Sequence, residues 1–552
     1  MFTAHQETLL TALDTIRTRG YWSPYPESPS PRVYGETAAA DGKAAFDAYL
    51  GQRFPVEQPG TDRWVSTESS PFGVTLDVSY PHPDVEVLFA AAQDAMPAWR
   101  DAGPDTRAGV CLEILDRIHS HVFELANAVH LTTGQAFVMA FQAGGPHALD
   151  RGLEAVAYAY REMTSQPGRA YWEKPAGKGA TLTMQKTYHV VPRGIGLVIG
   201  CNTFPTWNSY PGLFASLVTG NAVVVKPHPR AILPLAVTVR YAREVLAEAG
   251  FDPNLVTLAA EAPDEGLART LATRPEVKII DFTGSSAFGD WLERNAPQAQ
   301  VYTEKAGVNT VIVDSTDDFK GLCRNLGFSL SLYSGQMCTT PQNILVPAGG
   351  IATDQGPKSF DEVAAGIAAA VGKLTGDPER AVELIGAIVN EGVASRLANA
   401  AASGAGKAFL DSRSIDHPNY PDAVVRTPAV IGLGAGDESV YSSECFGPVS
   451  YVIATDSTSQ SVDIFRKVVG AKGALTAGVY STDEAVLDDV EKAAVDVGVH
   501  LSCNLTGGVF VNQSAAFSDF HATGANPAAN AALTDAAYVA NRFRVVQSRR
   551  HV

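Results

Sequence analysis

Cysteine is scarce in this chain: six in 552 residues, none in paired or metal-like spacing, so neither a disulfide framework nor a zinc-type centre is expected and no metal is implied. Long apolar runs are missing as well. Without one of membrane-spanning length, and without a basic and then apolar leader in Met1–Thr8, the expected location is the cytoplasm and no membrane partner is foreseen. Positive charge is the third shortage. With 42 Lys and Arg against 59 Asp and Glu, the formal net charge of −17 speaks against a nucleic-acid or anionic-membrane surface, and any anionic ligand must be gripped by a local pocket.

What is present is length and apolar mass. A chain of 552 residues, 45% of them hydrophobic, exceeds what one core serves, and two or three domains are expected. Residues 1–63 read as an appendage: a helix with Leu9, Leu10, Leu13 and Ile16, then a Pro/Ser-rich loop from Tyr21 to Pro31. From Asp84, a helix N-cap, the residues Val85, Leu88, Ala92, Met96 and Trp99 share one helical face, and Pro104 opens a second helix. Alternation over Thr181–Val191 predicts a long strand that could bridge subunits. Five short apolar runs separated by helical stretches (196–201, 222–226, 255–259, 277–282 and 310–314) predict a parallel, doubly wound α/β sheet. Tyr538–Val546 reads as a terminal strand.

The chemistry-bearing residues are Cys338, in Ser334-Gly-Gln-Met-Cys-Thr-Thr, and Glu304, in Thr303-Glu-Lys-Ala-Gly. A thiol nucleophile with a carboxylate base is what covalent oxidation of an aldehyde requires. A lone Cys near Gly is more often a small buried hydrophobe, so the pair draws its weight from its surroundings. In Asp281–Gly289 a strand ends in Gly284 and Ser285 before a helix, where free backbone N–H groups could hold a pyrophosphate, although strand-to-helix turns with Gly are common. Lys226 closes a buried strand at its carboxyl end, where open sheets bind ligands, although most Lys are simply solvated. Ser443–Val449 joins the Glu444 carboxylate to the Phe446 ring before a turn.

In this order and spacing the segments resemble the aldehyde dehydrogenase superfamily over roughly residues 62–552. The resemblance implies Cys338 as nucleophile, Glu304 as general base and Asn202, in Gly200–Pro205, as oxyanion donor. It implies Lys226, Gly284, Ser285, Glu444 and Phe446 as cofactor contacts. It also implies a Rossmann-type cofactor domain (64–178 and 192–303), an α/β catalytic domain (304–514), and a small β oligomerisation flap (179–191 and 515–552) in a homodimer or homotetramer. More closely, the chain resembles the phenylacetic acid degradation branch, which implies a ring-opened semialdehyde linked to coenzyme A.

Several positions depart from the family pattern. Cys201 stands where Trp usually precedes the oxyanion Asn, and Thr203 is one residue extra. Pro229, flanked by His228 and Arg230, stands where NAD-preferring members often carry Glu. A carboxylate beside the ribose repels a 2′-phosphate, whereas Arg or His⁺ pairs with it, so the expectation is NADP over NAD with His228 and Arg230 as contacts. Ala259–Pro263 lacks the usual Gly, and Ser518–Gly524 replaces a Gly-rich segment. Two other readings stay open: a coenzyme-A-acylating relative, in which a thiol resolves the thioester, and a non-enzymatic scaffold. Glu304 argues for water.

Overall fold

A computed structural model describes all 552 residues. Two open sheets organise it. The first is five parallel strands in the order Val256–Leu258, Val223–Lys226, Ile195–Ile199, Val277–Thr283, Gln300–Glu304. Their Val- and Ile-rich runs are covered on both faces, as parallel strands require, and helices such as Pro205–Val218 and Leu233–Glu248 supply that cover. The second sheet has seven strands in the order Lys407–Leu410, Ala429–Gly434, Val449–Thr455, Asn343–Pro347, Thr310–Val313, Thr476–Tyr480, His500–Cys503. Only its first pair is antiparallel.

The run near Thr310, grouped by strand rhythm with the first sheet but assigned by the resemblance to the catalytic domain, lies in the second sheet. Gln300–Glu304 takes the edge position instead. The chain leaves one sheet for the other through residues 305–309: Lys305 N–H donates to the Ala528 carbonyl (2.6 Å) and Val308 N–H to that of Gly473 (2.8 Å). Glu304 therefore ends a strand at the seam between the sheets.

Asp84 caps helix Val85–Asp101, its carboxylate accepting from Glu86 and Val87 N–H (3.1 and 3.2 Å). The long strand is Ala180–Pro192, central in a three-stranded antiparallel arm with Arg169–Ala176 and Phe543–His551. The terminal strand begins later than the sequence suggests. Tyr538 sits in a short helix, Ala536–Ala540, because Asp535 caps it through Tyr538 N–H (2.7 Å). Tyr538 Oη and Arg542 Nη2 both reach Asp281 in the first sheet (2.7 and 2.6 Å). Gly212 lets helix Pro205–Val218 approach that carboxylate, since a Cβ there would collide with Asp281. The N-terminal residues hold two longer helices, Phe2–Thr18 and Ala38–Asp47, and Leu9, Ile16 and Phe46 join the main core.

Candidate active site

Helix Phe319–Ser331 runs into a tight turn in which Tyr333, Ser334 and Gly335 all take left-handed φ values of 50°, 52° and 65°. For Tyr and Ser such a conformation costs about 1 kcal/mol or more each. Side-chain bonds hold it: Ser334 Oγ donates to the carbonyls of Ile385 (3.1 Å) and Arg426 (3.0 Å), and Gln336 Oε1 accepts Val389 N–H (2.8 Å). At Gly335 a Cβ would stand 2.7 Å from the Gly447 carbonyl oxygen. Cys338 follows this turn, its carbonyl held by Asn309 Nδ2 (2.8 Å).

Glu304, 5% exposed, comes from the other sheet. One carboxylate oxygen, Oε2, accepts from His521 Nε2 (3.0 Å) and Asn208 Nδ2 (3.4 Å), while Oε1 has no partner. The ligating atoms of Glu304, Cys338 and His521 all lie within 4.8 Å of one another. Within that grouping His521 Nε2 and Glu304 Oε2 already bond each other. Burial pushes the Cys338 thiol well above its ordinary range, and the Glu304 charge adds to this. Burial also works to raise Glu304, yet His521 and the Cys338 thiol outweigh it and hold the carboxyl below its ordinary value. The pair is thus a thiol beside a carboxylate kept ionised.

Asn202, in the loop after Ile195–Ile199, is buried and neither amide atom has a partner. An unsatisfied buried amide costs on the order of 1–3 kcal/mol, a cost an arriving oxygen would relieve. The extra Thr203 is accommodated by Gln135, whose Nε2 donates to its carbonyl (2.7 Å), and Cys201 packs with Met139, Phe204 and Tyr333.

On the cofactor side, Lys226 Nζ forms a buried ion pair with Glu261. The carboxylate sought beside Pro229 is therefore supplied by the neighbouring strand, where Glu261 also accepts Leu267 N–H (2.7 Å). His228 is no cation: burial, with Lys226 and Arg230 nearby, pulls its pKa down to about 3, and its Nδ1 accepts Arg230 N–H (3.2 Å). Both findings run against the NADP expectation. Arg230 is half-buried beside it. Ser285 caps helix Ser286–Asn295, accepting Phe288 N–H (3.4 Å), but Gly284 N–H donates to the Glu304 carbonyl (3.0 Å) and is not free for a pyrophosphate. Glu444 and Phe446 line a small cleft together with Gly335 and Met337 of the nucleophile loop, and burial raises Glu444 to about 7.

A cavity of about 520 Å³ opens over Cys338 and His521. Trp207 and Phe510 form part of its wall, and Tyr21, Trp22 and Tyr25 of the N-terminal segment form more. Tyr210 and Tyr333 are core residues, bonded to Thr238 Oγ1 and the Thr133 carbonyl. No Lys or Arg lines the cavity, whereas Glu27, Asp150 and Asp519 do. Asp150 accepts from Ser23 Oγ (2.9 Å), and burial pushes its carboxyl well above the usual range. Glu261, His521 and the 21–27 wall were not identified from sequence as site residues. Glu261 was visible as a carboxylate just past a strand end, but His521 meets Glu304 across 217 residues with no local pattern to mark it.

A Rossmann-type sheet beside a second α/β sheet, with a thiol and a carboxylate meeting at their seam, is the layout of a nucleotide-dependent oxidoreductase. The chain belongs to the aldehyde dehydrogenase family, whose pattern matches residues 78–526. It is similar to a crystal structure of an NAD-dependent aldehyde dehydrogenase from Burkholderia multivorans, at 62% identity and TM-score 0.98 over 100% of this chain and 99% of that one. N-succinylglutamate 5-semialdehyde dehydrogenase from Paraburkholderia xenovorans is 27% identical over 82% of this chain and 84% of its own length. The 1-pyrroline-5-carboxylate dehydrogenase of Thermus, solved with bound NAD, shares the fold at 19% identity and TM-score 0.74, over 97% of this chain and 99% of that one. None of these names points to phenylacetate breakdown.

Proposed function

We propose that this aldehyde dehydrogenase uses NAD to oxidise an aldehyde whose reactive end is uncharged and apolar, releasing the carboxylic acid by hydrolysis. The observation that carries the substrate class is the cavity over Cys338, walled by aromatic residues and free of Lys and Arg. A free carboxylate bound there would meet Glu27 and Asp519, and no Lys or Arg lines the cavity to pair with it. The ring-opened, coenzyme-A-linked semialdehyde implied by the sequence resemblance fits this class, because its thioester chain is neutral near the aldehyde. Simple aromatic aldehydes fit it equally.

NAD, when bound, supplies the acceptor for the aldehydic hydride. Lys226 and Glu261 would hold its ribose, Ser285 its phosphates, and Glu444 and Phe446 the nicotinamide half. The buried Lys226–Glu261 pair suits the cofactor without a 2′-phosphate. Cys338 adds to the aldehyde carbon, with its thiol proton passing to Glu304, and the Asn202 amide takes the resulting oxyanion. Once the adduct is a thioester and Glu304 has released the thiol proton to solvent, Glu304 draws a proton from water, the hydroxide oxygen bonds to the acyl carbon, and the C–S bond breaks. Resolution by coenzyme A as a thiol would not need Glu304 buried with an unpartnered Oε1. The three-stranded arm is the proposed subunit contact.

The test is NADH formation from uncharged aldehydes, carboxylated semialdehydes and a coenzyme-A-linked semialdehyde, with Cys338→Ala as control. Uncharged or thioester-linked substrates should exceed carboxylated ones in kcat/KM by about 100-fold. A preference for the carboxylated semialdehydes would overturn the substrate class. Absence of Cys338-dependent turnover with every substrate would return the scaffold reading.

A further inference from the structure

Residues 514–533 cross the seam between the sheets and are held with unusual thoroughness for a loop. Arg151, fully buried and paired with Glu154 (2.8 Å), donates to Ser514 Oγ (3.1 Å) and to the carbonyls of Asp519 (3.1 Å) and Leu533 (3.4 Å). Glu154 in turn accepts Phe517 N–H (2.9 Å). Within the loop His521 and Leu533 exchange backbone hydrogen bonds in both directions (2.9 and 2.8 Å). Ala522, next in the chain, takes φ 60°, a conformation costing about 1 kcal/mol or more for Ala, and its carbonyl is met by His500 Nε2 (2.8 Å). The product of these constraints is one placement: His521 Nε2 at 3.0 Å from Glu304 Oε2, with the Trp207 ring edge-on to the imidazole at 4.7 Å.

We propose that His521 is the positioning residue for Glu304: its Nε2–H occupies Oε2 and fixes the carboxylate, leaving unpartnered Oε1 as the single basic oxygen. This rests on Glu304 being the base of the proposed hydrolysis. The proton balance leaves His521 unchanged through the cycle. Water gives its proton to Oε1, its oxygen bonds to the acyl carbon, the C–S bond breaks, and the Cys338 thiolate recovers the proton from Glu304. The titratable groups facing the imidazole are Glu304 from the first sheet and Cys338 from the nucleophile loop. Asp519 lines the same cavity, and Arg151 lies over the Trp207 ring (5.4 Å). The hydrogen bond from His521 also helps to hold Glu304 below its ordinary range against burial, so its loss moves Glu304 upward.

The experiment compares His521→Ala and His521→Gln with the native enzyme by pre-steady-state and steady-state NADH formation across pH. In His521→Ala the steady-state rate should fall about 10- to 100-fold while the first-turnover burst changes little, because deacylation is the step that needs the oriented base. His521→Gln, whose amide donates to the same oxygen, should recover most of the rate. In His521→Ala the acidic limb of kcat should move to higher pH, and in His521→Gln it should move less. Burst and steady state falling together, without rescue by Gln, would mean a merely structural role. Native rates and an unmoved limb in His521→Ala would also overturn the proposal.

A second arm needs no substrate. Alkylation of Cys338 by iodoacetamide should change severalfold in rate on His521→Ala, and the same substitution should change nothing further in a Glu304→Gln background. If the native enzyme oxidised no aldehyde, only the proposed function would fail, and this comparison would still decide His521. Equal effects in both backgrounds would show that His521 does not act through Glu304.

Discussion

Lys226 and Glu261 meet at the carboxyl ends of neighbouring parallel strands and are 4% and 6% exposed. Burial lowers the Lys226 ammonium's pKa and Glu261 opposes the shift, so the Lys226 charge depends on Glu261. A carboxylate fixed there is available to ribose hydroxyls and repels a phosphate on the same ring. Glu261→Gln should therefore shift the NADP-to-NAD ratio of kcat/KM toward NADP by about tenfold, equivalent to about 1.4 kcal/mol. Initial rates with each cofactor at matched concentrations read this directly. An unchanged ratio would place cofactor selection elsewhere.

The route to that pair shows what a sequence can and cannot carry. Lys226 was legible because it ends an unbroken Val run, and a strand terminus in an open sheet is where ligands bind. Its partner was not, because Glu261 lies just past a strand that is adjacent only in space. The strand runs themselves were legible from Val and Ile content, but their rhythm alone does not separate Thr310–Val313 from the first sheet, since hydrophobic period does not record the crossover after Glu304. Cys338 and Glu304 stood out by chemistry. His521 could not, because a histidine in a Gly-poor loop carries no spacing that points at a carboxylate 217 positions away.

Arg542 and Asp281 form a second buried pair (2.6 Å), with the guanidinium over the Tyr538 and Tyr302 rings (4.2 and 4.5 Å). Arg542→Met leaves Asp281 charged and unpaired under helix Pro205–Val218, at a cost of about 3–5 kcal/mol. The urea midpoint should fall accordingly, and Asp281→Asn added to the same chain should restore part of the loss. Additive losses in the double variant would refute the pairing argument.

Glu444, proposed to hold the nicotinamide half of the cofactor, should make NAD binding sensitive to pH. Its carboxyl, raised by burial to about 7, is largely protonated below that pH and ionised above it. A ribose hydroxyl donates better to the ionised form, so NAD affinity should rise as pH increases through about 7, by about tenfold per pH unit on the acidic side before levelling off. Glu444→Gln should bind more weakly and show no such step. Calorimetric titration with NAD between pH 6 and 8 distinguishes the two, and a step that persists in the variant would assign it to another group.

The arm leaves apolar side chains in solvent that a lone chain has no reason to expose. Tyr171 and Val546 are 63% and 52% exposed, on the two outer strands, whose far edges are open to further pairing. Singly exposed apolar residues are ordinary, but two on one face of an open-edged sheet are where a second copy would press. Val546→Asp places a charge where a partner would press. Sedimentation velocity should show the native chain as a dimer or tetramer and the variant shifted toward the monomer, with Cys338 alkylation unchanged as evidence that each chain remains folded. A native chain that sediments as a monomer would assign the arm another role, and an assembly indifferent to the substitution would move the contact to a different surface.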